Sequence, residues 1–336
     1  MSESYRVAIV GATGAVGNTL VQILEERAFP ISSLKLLSSH RSAGELMDFK
    51  DEPIMVEELT HDSFDDVDLV FSSAGTAVSR EFIPTAVKKK CLVIDNTNAF
   101  RMDADVPLVI PEVNIHAILK HNGLIANPNC STIQMLVALK PIYDAVGIKR
   151  IVVSTYQSVS GKSGSAVLEL IDQTASALQG QPITLDKFAH QMAFNVTCDW
   201  PLLDSGDSEE EMKMINETQK IFDDDSIGVS ATTVRVPVFF AHSEAINVET
   251  KDKLTADEAR RILSEAPGVV VIDDPKNWKY PLAVNVVGKD EVYVGRIRKD
   301  RSIENGLNLW VVADNLRKGA ALNAIQIAEH LNRSRV

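Results

Sequence analysis

The sequence predicts an α/β protein of two domains: a doubly wound parallel sheet first, then an α+β domain on a mixed sheet. Three observations carry this. Over residues 5–130 short apolar runs alternate with helical patterns, as in a parallel sheet covered on both faces. A loop spaced G-x-x-G-x-x-G, Gly11 to Gly17, joins the first strand to the first helix. Beyond about residue 228 strand patterns follow one another with few helices between them, which argues for antiparallel or mixed pairing. The 336 residues suffice for two domains, set at 1–130 and 131–314, with a last helix over about 315–336 packing back on the first.

Arg6-Val7-Ala8-Ile9-Val10 reads as a buried strand, and Ala15 to Arg27 as a helix with Val16, Leu20, Ile23 and Leu24 on one face. Leu34–Leu37, Asp68–Ser72, Leu92–Asp95 and Gly123–Ala126 continue the series of strands. Arg150–Gln157 is a longer strand, Ala166–Leu178 and Glu209–Phe222 are helices, and Gly180–Ser208 between them reads as a surface loop. Strands near 228–249, 291–299 and 307–313, with a helix at 255–266, complete the second domain. The last helix carries Leu316, Ala320, Ile325, Ile327 and Ala328.

The glycine loop gains weight from its strand–loop–helix setting. Gly11, Thr13, Gly14, Ala15, Val16 and Gly17 are small enough, for the most part, for backbone amides to approach a pyrophosphate at a helix N-terminus. The N-terminal domain is therefore Rossmann-like. An NAD site usually places a carboxylate about 20 residues further on, against the ribose 2′-hydroxyl. Here that turn is Ser38-Ser39-His40-Arg41-Ser42. Its hydroxyls and guanidinium suit a 2′-phosphate, so NADP is expected, with Ser38, Arg41 and Ser42 as its contacts. Gly75-Thr76, after another strand, forms a second cofactor loop.

Cys130 stands out. Gly123–Ala126 reads as a strand, Pro128-Asn129 as a tight turn, and Ile133, Leu136 and Val137 carry helical spacing. The sulfur thus falls in the first turn of a helix, where free amides and the dipole favour a thiolate. A buried, inert cysteine is the alternative. Gln157 ends a strand and opens a polar loop through Gly161; alone, a satisfied buried amide is the commoner case. Gly161-Lys162-Ser163 is not a phosphate loop, because Tyr156 stands where that motif needs glycine. Arg235 and His242 would face opposite sides of one unbroken strand, yet Pro237 argues for a break that lets them converge. His242 beside a nucleophile is the natural general base, although a lone core histidine is commoner. Glu210 and Lys213 share a helix face, which on its own suggests a solvated pair. Arg101 follows a strand end in a turn-prone loop.

The formal charge of −12 argues against nucleic-acid or anionic-membrane partners. No apolar run approaches a membrane span, and the N-terminus has no signal-peptide pattern. Cys91, Cys130 and Cys198 make no disulfide framework, and no metal-ligand spacing occurs. A reduced, cytoplasmic protein without a metal is expected.

Taken together, Gly11–Gly17, Asp95–Arg101, Pro128–Thr132, Ser154–Gly161, Glu210–Lys213, Val234–Glu244 and Asp314–Ala321 resemble aspartate-β-semialdehyde dehydrogenase over essentially the whole chain. The short 210–213 spacing looks more like the Gram-positive-type branch. The resemblance implies NADPH-dependent, reversible reduction of L-4-aspartyl phosphate to L-aspartate-4-semialdehyde and phosphate, on the route to lysine, diaminopimelate, threonine and methionine. It implies an NADP-binding first domain and a catalytic and dimerisation second domain. It makes Cys130 the thioester-forming nucleophile, His242 an acid/base and Gln157 an orienting group. Arg235 would hold the substrate carboxylate, Glu210 its ammonium, and Arg101 and Lys213 the phosphate. Ser160, Gly161 and Asn315 would reach the cofactor. A homodimer is the expected assembly, a homotetramer being the family's other state. Three departures stand out: the segment around Gly180–Phe188 looks shorter than in many relatives, Cys198-Asp199-Trp200 replaces a more usual sequence, and Lys162 sits where a small residue is commoner. The rival readings are N-acetyl-γ-glutamyl-phosphate reductase, whose acetamide substrate has no need of Glu210, and a non-catalytic NADP-binding paralogue.

Overall fold

The computed structural model describes residues 4–334. The chain divides into two compact units, Met1–Asn129 with Ala320–Val336, and Cys130–Gly319.

The first unit runs β1 (Tyr5–Val10), α1 (Ala15–Glu26), β2 (Ile31–Ser38), β3 (Leu46–Phe49), β4 (Glu52–Glu58), β5 (Leu69–Ser72), α2 (Thr76–Lys88), β6 (Leu92–Asp95), the one-turn α3 (Pro111–Asn114) and β7 (Leu124–Ala126). Its sheet has the order β3-β4-β2-β1-β5-β6-β7. Every pair is parallel except β3 with β4. The expected parallel sheet thus carries one antiparallel hairpin. It closes one edge through Lys50 and Asp51, both in the left-handed region at φ 53° and 61°. The strand order reverses at β1, as in a doubly wound sheet. Val7, Ile9, Phe71 and Ile94 of the central strands share a core with Leu20, Ile23 and Leu24 of α1.

The second unit runs α4 (Cys130–Val146), β8 (Ile148–Gln157), α5 (Gly164–Leu178), α6 (Glu209–Phe222), β9 (Gly228–Arg235), β10 (His242–Thr250), α7 (Ala256–Ser264), β11 (Val269–Val271), the short α8 (Ala283–Val286), β12 (Val292–Lys299) and β13 (Gly306–Ala313). Its sheet, ordered β11-β12-β13-β10-β8-β9, is mixed. β8 with β9 and β11 with β12 are parallel; the rest are antiparallel. Helix starts follow local chemistry: Ser208 and Glu211 form a capping box on α6, Thr255 and Glu258 another on α7.

Residues 180–208 are not simply a surface loop. Phe188, Met192 and Ala193 are buried with Val159, Ala166 and Leu170. The Gln173 side-chain oxygen accepts the N–H groups of Met192 and Ala193 at 2.7 and 3.1 Å, so one buried amide anchors the segment.

The last helix also begins later than expected. The Asp314 carboxylate accepts the N–H groups of Leu316 and Arg317, a π-helical turn spans Arg317–Ala321, and only then does α9 (Leu322–Ser334) start. Its Ile325, Ile327, Ala328 and Leu331 complete the first unit's core against residues such as Ile9, Leu24 and Ile125. Each large aliphatic buried there contributes roughly 1.5–3 kcal/mol relative to exposure.

Candidate active site

In the second unit four strands end together. β8 and β9 are in register, with Gln157 opposite Arg235. β10 runs back along β8, so its first residue, His242, arrives beside Gln157, and the last residue of β13, Ala313, faces His242. The break between Arg235 and His242 thus falls between two strands, and the residues converge. Ala241, just before His242, is held in the left-handed region at φ 69°. Its N–H donates to the Asn315 side-chain oxygen at 2.9 Å. A strained, non-glycine residue here is stabilised by that amide.

Cys130 is half-buried and is the first residue of α4, where the helix leaves its amides unpaired by its own backbone. Gly319 lies against it: a Cβ there would come within 2.9 Å of the Cys130 Cβ. Asn129 is followed directly by helix, without the separate tight turn expected at 128–129.

His242 is fully buried. Its Nδ1 accepts the backbone N–H of Ser158 at 3.0 Å, with the Ser158 hydroxyl also at 3.0 Å. A ring nitrogen that accepts a backbone N–H carries no proton, so the neutral ring bears its proton on Nε2. Nε2 is buried without a hydrogen-bond partner. Burial, then the charge of Arg235, push the pKa down to about 3, against an opposing pull from Glu210. A Cβ on Gly161 would lie 3.0 Å from His242 Nε2 and 3.3 Å from an Arg235 nitrogen. Glycine at 161 lets these two groups close on one point.

Arg235 is buried, and its Nη1 donates to the Ser158 carbonyl at 2.9 Å. Burial lowers its pKa, while Glu210, Cys130 and Asp199 raise it. Glu210, also buried, accepts the Gln157 amide at 3.2 Å and pairs with Lys213 at 3.0 Å. The solvated-pair alternative for Glu210 and Lys213 therefore fails; α6 points this carboxylate into the strand ends. The Asn315 side-chain oxygen lies 3.1 and 3.2 Å from the Ser158 and Ser160 hydroxyls. Its amide thus knits the loop after β8 to the start of β10.

Sequence reasoning missed a buried pair behind His242. Glu244, two residues on and on the same face of β10, is fully buried, and burial pushes its pKa well above the ordinary carboxylate value, with the neighbouring Gln134 amide pulling back. Gln134 donates to the His242 carbonyl at 3.4 Å and lies one helical turn after Cys130. The alternation of His242 and Glu244 on one strand face was the available signal.

The first unit holds the glycine loops. Gly14 precedes α1. The N–H groups of Gly11 and Ala12 donate to the Leu37 carbonyl. Gly11 sits at φ 86°, where a Cβ would strike the Ala74 backbone at 2.9 Å, and one on Gly17 would meet the Gly11 carbonyl at 2.2 Å. The two loops, 11–17 and 73–76, thus lie against each other at the carboxyl ends of β1 and β5. Thr13 joins the rim to β2 through Ser38, hydroxyl to hydroxyl at 2.9 Å. Arg41 is exposed and Ser42 half-buried in the following turn. Gly75, at φ 97°, and Thr76 open α2. The tight loops, the first-turn amides of α1 and the exposed Arg41 guanidinium past β2 fit a dinucleotide with an added phosphate. Arg101 belongs to this unit too; it is buried and donates to the Asn96 carbonyl at 2.8 Å.

Among the described residues no group of three or more His, Cys, Asp or Glu is placed to hold a metal, and no helix is long and apolar enough to cross a membrane.

Comparison with known proteins agrees over the whole length. Residues 6–121 match the family described as semialdehyde dehydrogenase, NAD binding domain. Residues 139–318 match semialdehyde dehydrogenase, dimerisation domain. The chain is 54% identical to the aspartate-semialdehyde dehydrogenase of Legionella pneumophila, covering 99% of this chain and 97% of that one. It is 53% identical to that of Aquifex aeolicus, covering 97% and 98%, and 48% identical to that of Bacillus subtilis, covering 99% of each. The crystal structure of aspartate semialdehyde dehydrogenase II of Vibrio cholerae complexed with ASA superposes with a TM-score of 0.96 at 49% identity, covering 99% of each chain. The Candida albicans enzyme with NADP superposes at 0.75 and 25% identity, covering 97% of this chain and 98% of that one.

Proposed function

The chain belongs to the aspartate-semialdehyde dehydrogenase family, and on that premise we propose which of its residues perform the reaction. The protein reduces L-4-aspartyl phosphate to L-aspartate-4-semialdehyde and phosphate, reversibly and with NADPH, through a thioester on Cys130. The observation that carries the assignment is the convergence of Gln157, Arg235 and His242 at adjoining strand ends, with Glu210 bonded to Gln157.

The Cys130 thiolate attacks the acyl phosphate carbonyl; phosphate leaves and takes up the proton that the net reaction consumes. A thiolate suits the task because it adds, leaves and is regenerated at neutral pH, where an alkoxide is too basic. Bound NADPH supplies the hydride. The resulting oxyanion on the thiohemiacetal collapses, the C–S bond breaks, and aldehyde and thiolate are released without any further proton transfer at the carbonyl. His242 therefore serves as a neutral Nε2–H donor to the oxyanion rather than as a base. Gln157 orients the acyl group. Arg235 grips the α-carboxylate, and Glu210 receives the α-ammonium, a group that an N-acetylated substrate lacks. Lys213 and Arg101 serve the phosphate. Gly11, Thr13, Gly14, Ala15, Val16, Gly17, Ser38, Arg41, Ser42, Gly75 and Thr76 hold the NADP, with Ser160, Gly161 and Asn315 supporting the nicotinamide end.

A homodimer fits the half-exposed aromatic face of the second unit's sheet, where the Tyr156 and Trp310 rings meet at a tilt, 5.6 Å between their centres. Three cysteines with no disulfide among the described residues fit a cytoplasmic location. The test is phosphate-dependent NADPH formation, read at 340 nm, with L-aspartate-4-semialdehyde beside N-acetyl-glutamate semialdehyde. A rate with the first alone supports the assignment; a rate with the second alone replaces it. Equal efficiency with NAD would overturn the role of Arg41.

A further inference from the structure

The segment 197–201 has no part in the chemistry above, yet it is tied to both substrate grips. Thr197 and Arg235 exchange backbone hydrogen bonds in both directions, at 3.0 and 2.7 Å. The half-buried indole of Trp200 lies over the Arg235 guanidinium, 4.6 Å from ring centre to carbon. The Pro201 carbonyl accepts the N–H of Glu209, next to Glu210 in the first turn of α6. A few residues earlier in the chain, Met192 and Ala193 are anchored by Gln173.

A guanidinium grips a carboxylate through two parallel N–H bonds, which demands that its plane be fixed. Holding it with a second carboxylate would consume those same N–H groups. An aromatic face does not: it attracts the cation from above and leaves every N–H in the plane free. The Ser158 carbonyl, which accepts from Nη1, then fixes rotation within the plane, and the Thr197 bridge fixes the backbone from which the side chain springs.

We propose that Trp200 is a positioning residue that sets the plane of Arg235 for two-point binding of a carboxylate, making 197–201 the element that selects aldehydes bearing an α-carboxylate. The proposal rests on the carboxylate-binding role of Arg235 given above.

Trp200→Ala and Trp200→Phe are compared with the parent enzyme on L-aspartate-4-semialdehyde and on 3-aminopropanal, which is the same aldehyde without its carboxylate. For Trp200→Ala the KM for the first should rise on the order of threefold to thirtyfold, with kcat within about twofold, while kcat/KM for 3-aminopropanal stays put; Trp200→Phe keeps a ring and should recover most of the loss. An equal loss on both aldehydes, or none on the first, overturns the proposal. Calorimetric binding of L-2-aminobutanoate, an amino acid with an inert methyl in place of the aldehyde, reads the same grip without turnover and should weaken by the same factor. Absence of phosphate-dependent turnover in the parent enzyme would sink the assigned reaction, whereas an unchanged affinity for L-2-aminobutanoate in Trp200→Ala would sink the positioning role alone.

Discussion

His242→Gln isolates the charge state on which the proposed chemistry depends. Glutamine keeps an acceptor for the Ser158 N–H and an N–H donor, but takes no proton. In the folded protein the His242 pKa is about 3, against an ordinary 6.5. Below pH 6.5 the unfolded chain binds a proton at this site that the folded chain refuses. Stability from the neutral ring is therefore complete above 6.5 and drains away as the pH falls toward 3. Between pH 7.5 and 5.0 only the 1.5 units below 6.5 count; at 1.36 kcal/mol per unit the loss is about 2 kcal/mol. The groups whose charge the ring feels are Arg235 and Glu210, both present in parent and variant, so their contributions cancel. Urea unfolding of both proteins at the two pH values should show the parent losing about 2 kcal/mol more than the variant. Identical losses would mean that the folded ring is already protonated, and the neutral-donor reading would fall. The pH–rate profile gives an independent check: no ionisation between pH 5 and 8 should disappear in His242→Gln.

Cys130→Ala should abolish turnover while fluorescence titration finds NADPH affinity unchanged; a residual rate above background refutes the thioester. Arg235→Lys keeps the charge but loses the fork, and kcat/KM should fall more than tenfold, since a charged hydrogen bond contributes about 1.5–3 kcal/mol. Glu244→Gln tests the buried carboxyl. Its raised pKa means that the unfolded chain ionises above about 4.5 while the folded one resists, so parent stability should decline relative to the variant as the pH rises from 5 to 8. A difference in urea midpoint that stays constant with pH contradicts this. Gly319→Ala would press on the Cys130 Cβ at 2.9 Å; kcat should drop on the order of a hundredfold with nucleotide binding intact.

What the sequence disclosed followed from local chemistry. The strand before Cys130 and the helix after it were legible because apolar spacing changes period there, and the glycine loop because strand and helix flank it. Pro237 announced the break that lets Arg235 meet His242. The β3–β4 hairpin was hidden: its turn uses Lys50 and Asp51 in left-handed conformations with no glycine or asparagine to mark them, and half of β3 and most of β4 are exposed. Glu210 looked like a surface charge because its burial depends on Gln157, 53 residues away. The 180–208 segment was misread because one amide, Gln173, and one strand end, Arg235, hold it; neither leaves a periodic trace. The late start of α9 reflects the Asp314 turn, a side-chain decision that hydrophobic spacing does not record.

The first unit is sewn from two distant stretches, and this has a bearing on how the protein is made. A ribosome delivers β1 to β7 early, then all of Cys130–Gly319, and α9 only at the end. The inserted unit is continuous in sequence and is free to form while synthesis continues. The nucleotide-binding sheet must meanwhile wait with the apolar surface destined for Ile325, Ile327 and Leu331 uncovered. Nascent chains stalled before residue 322 should therefore recruit holdase chaperones and resist capture on an NADP analogue column, and release of the last helix should end both conditions at once.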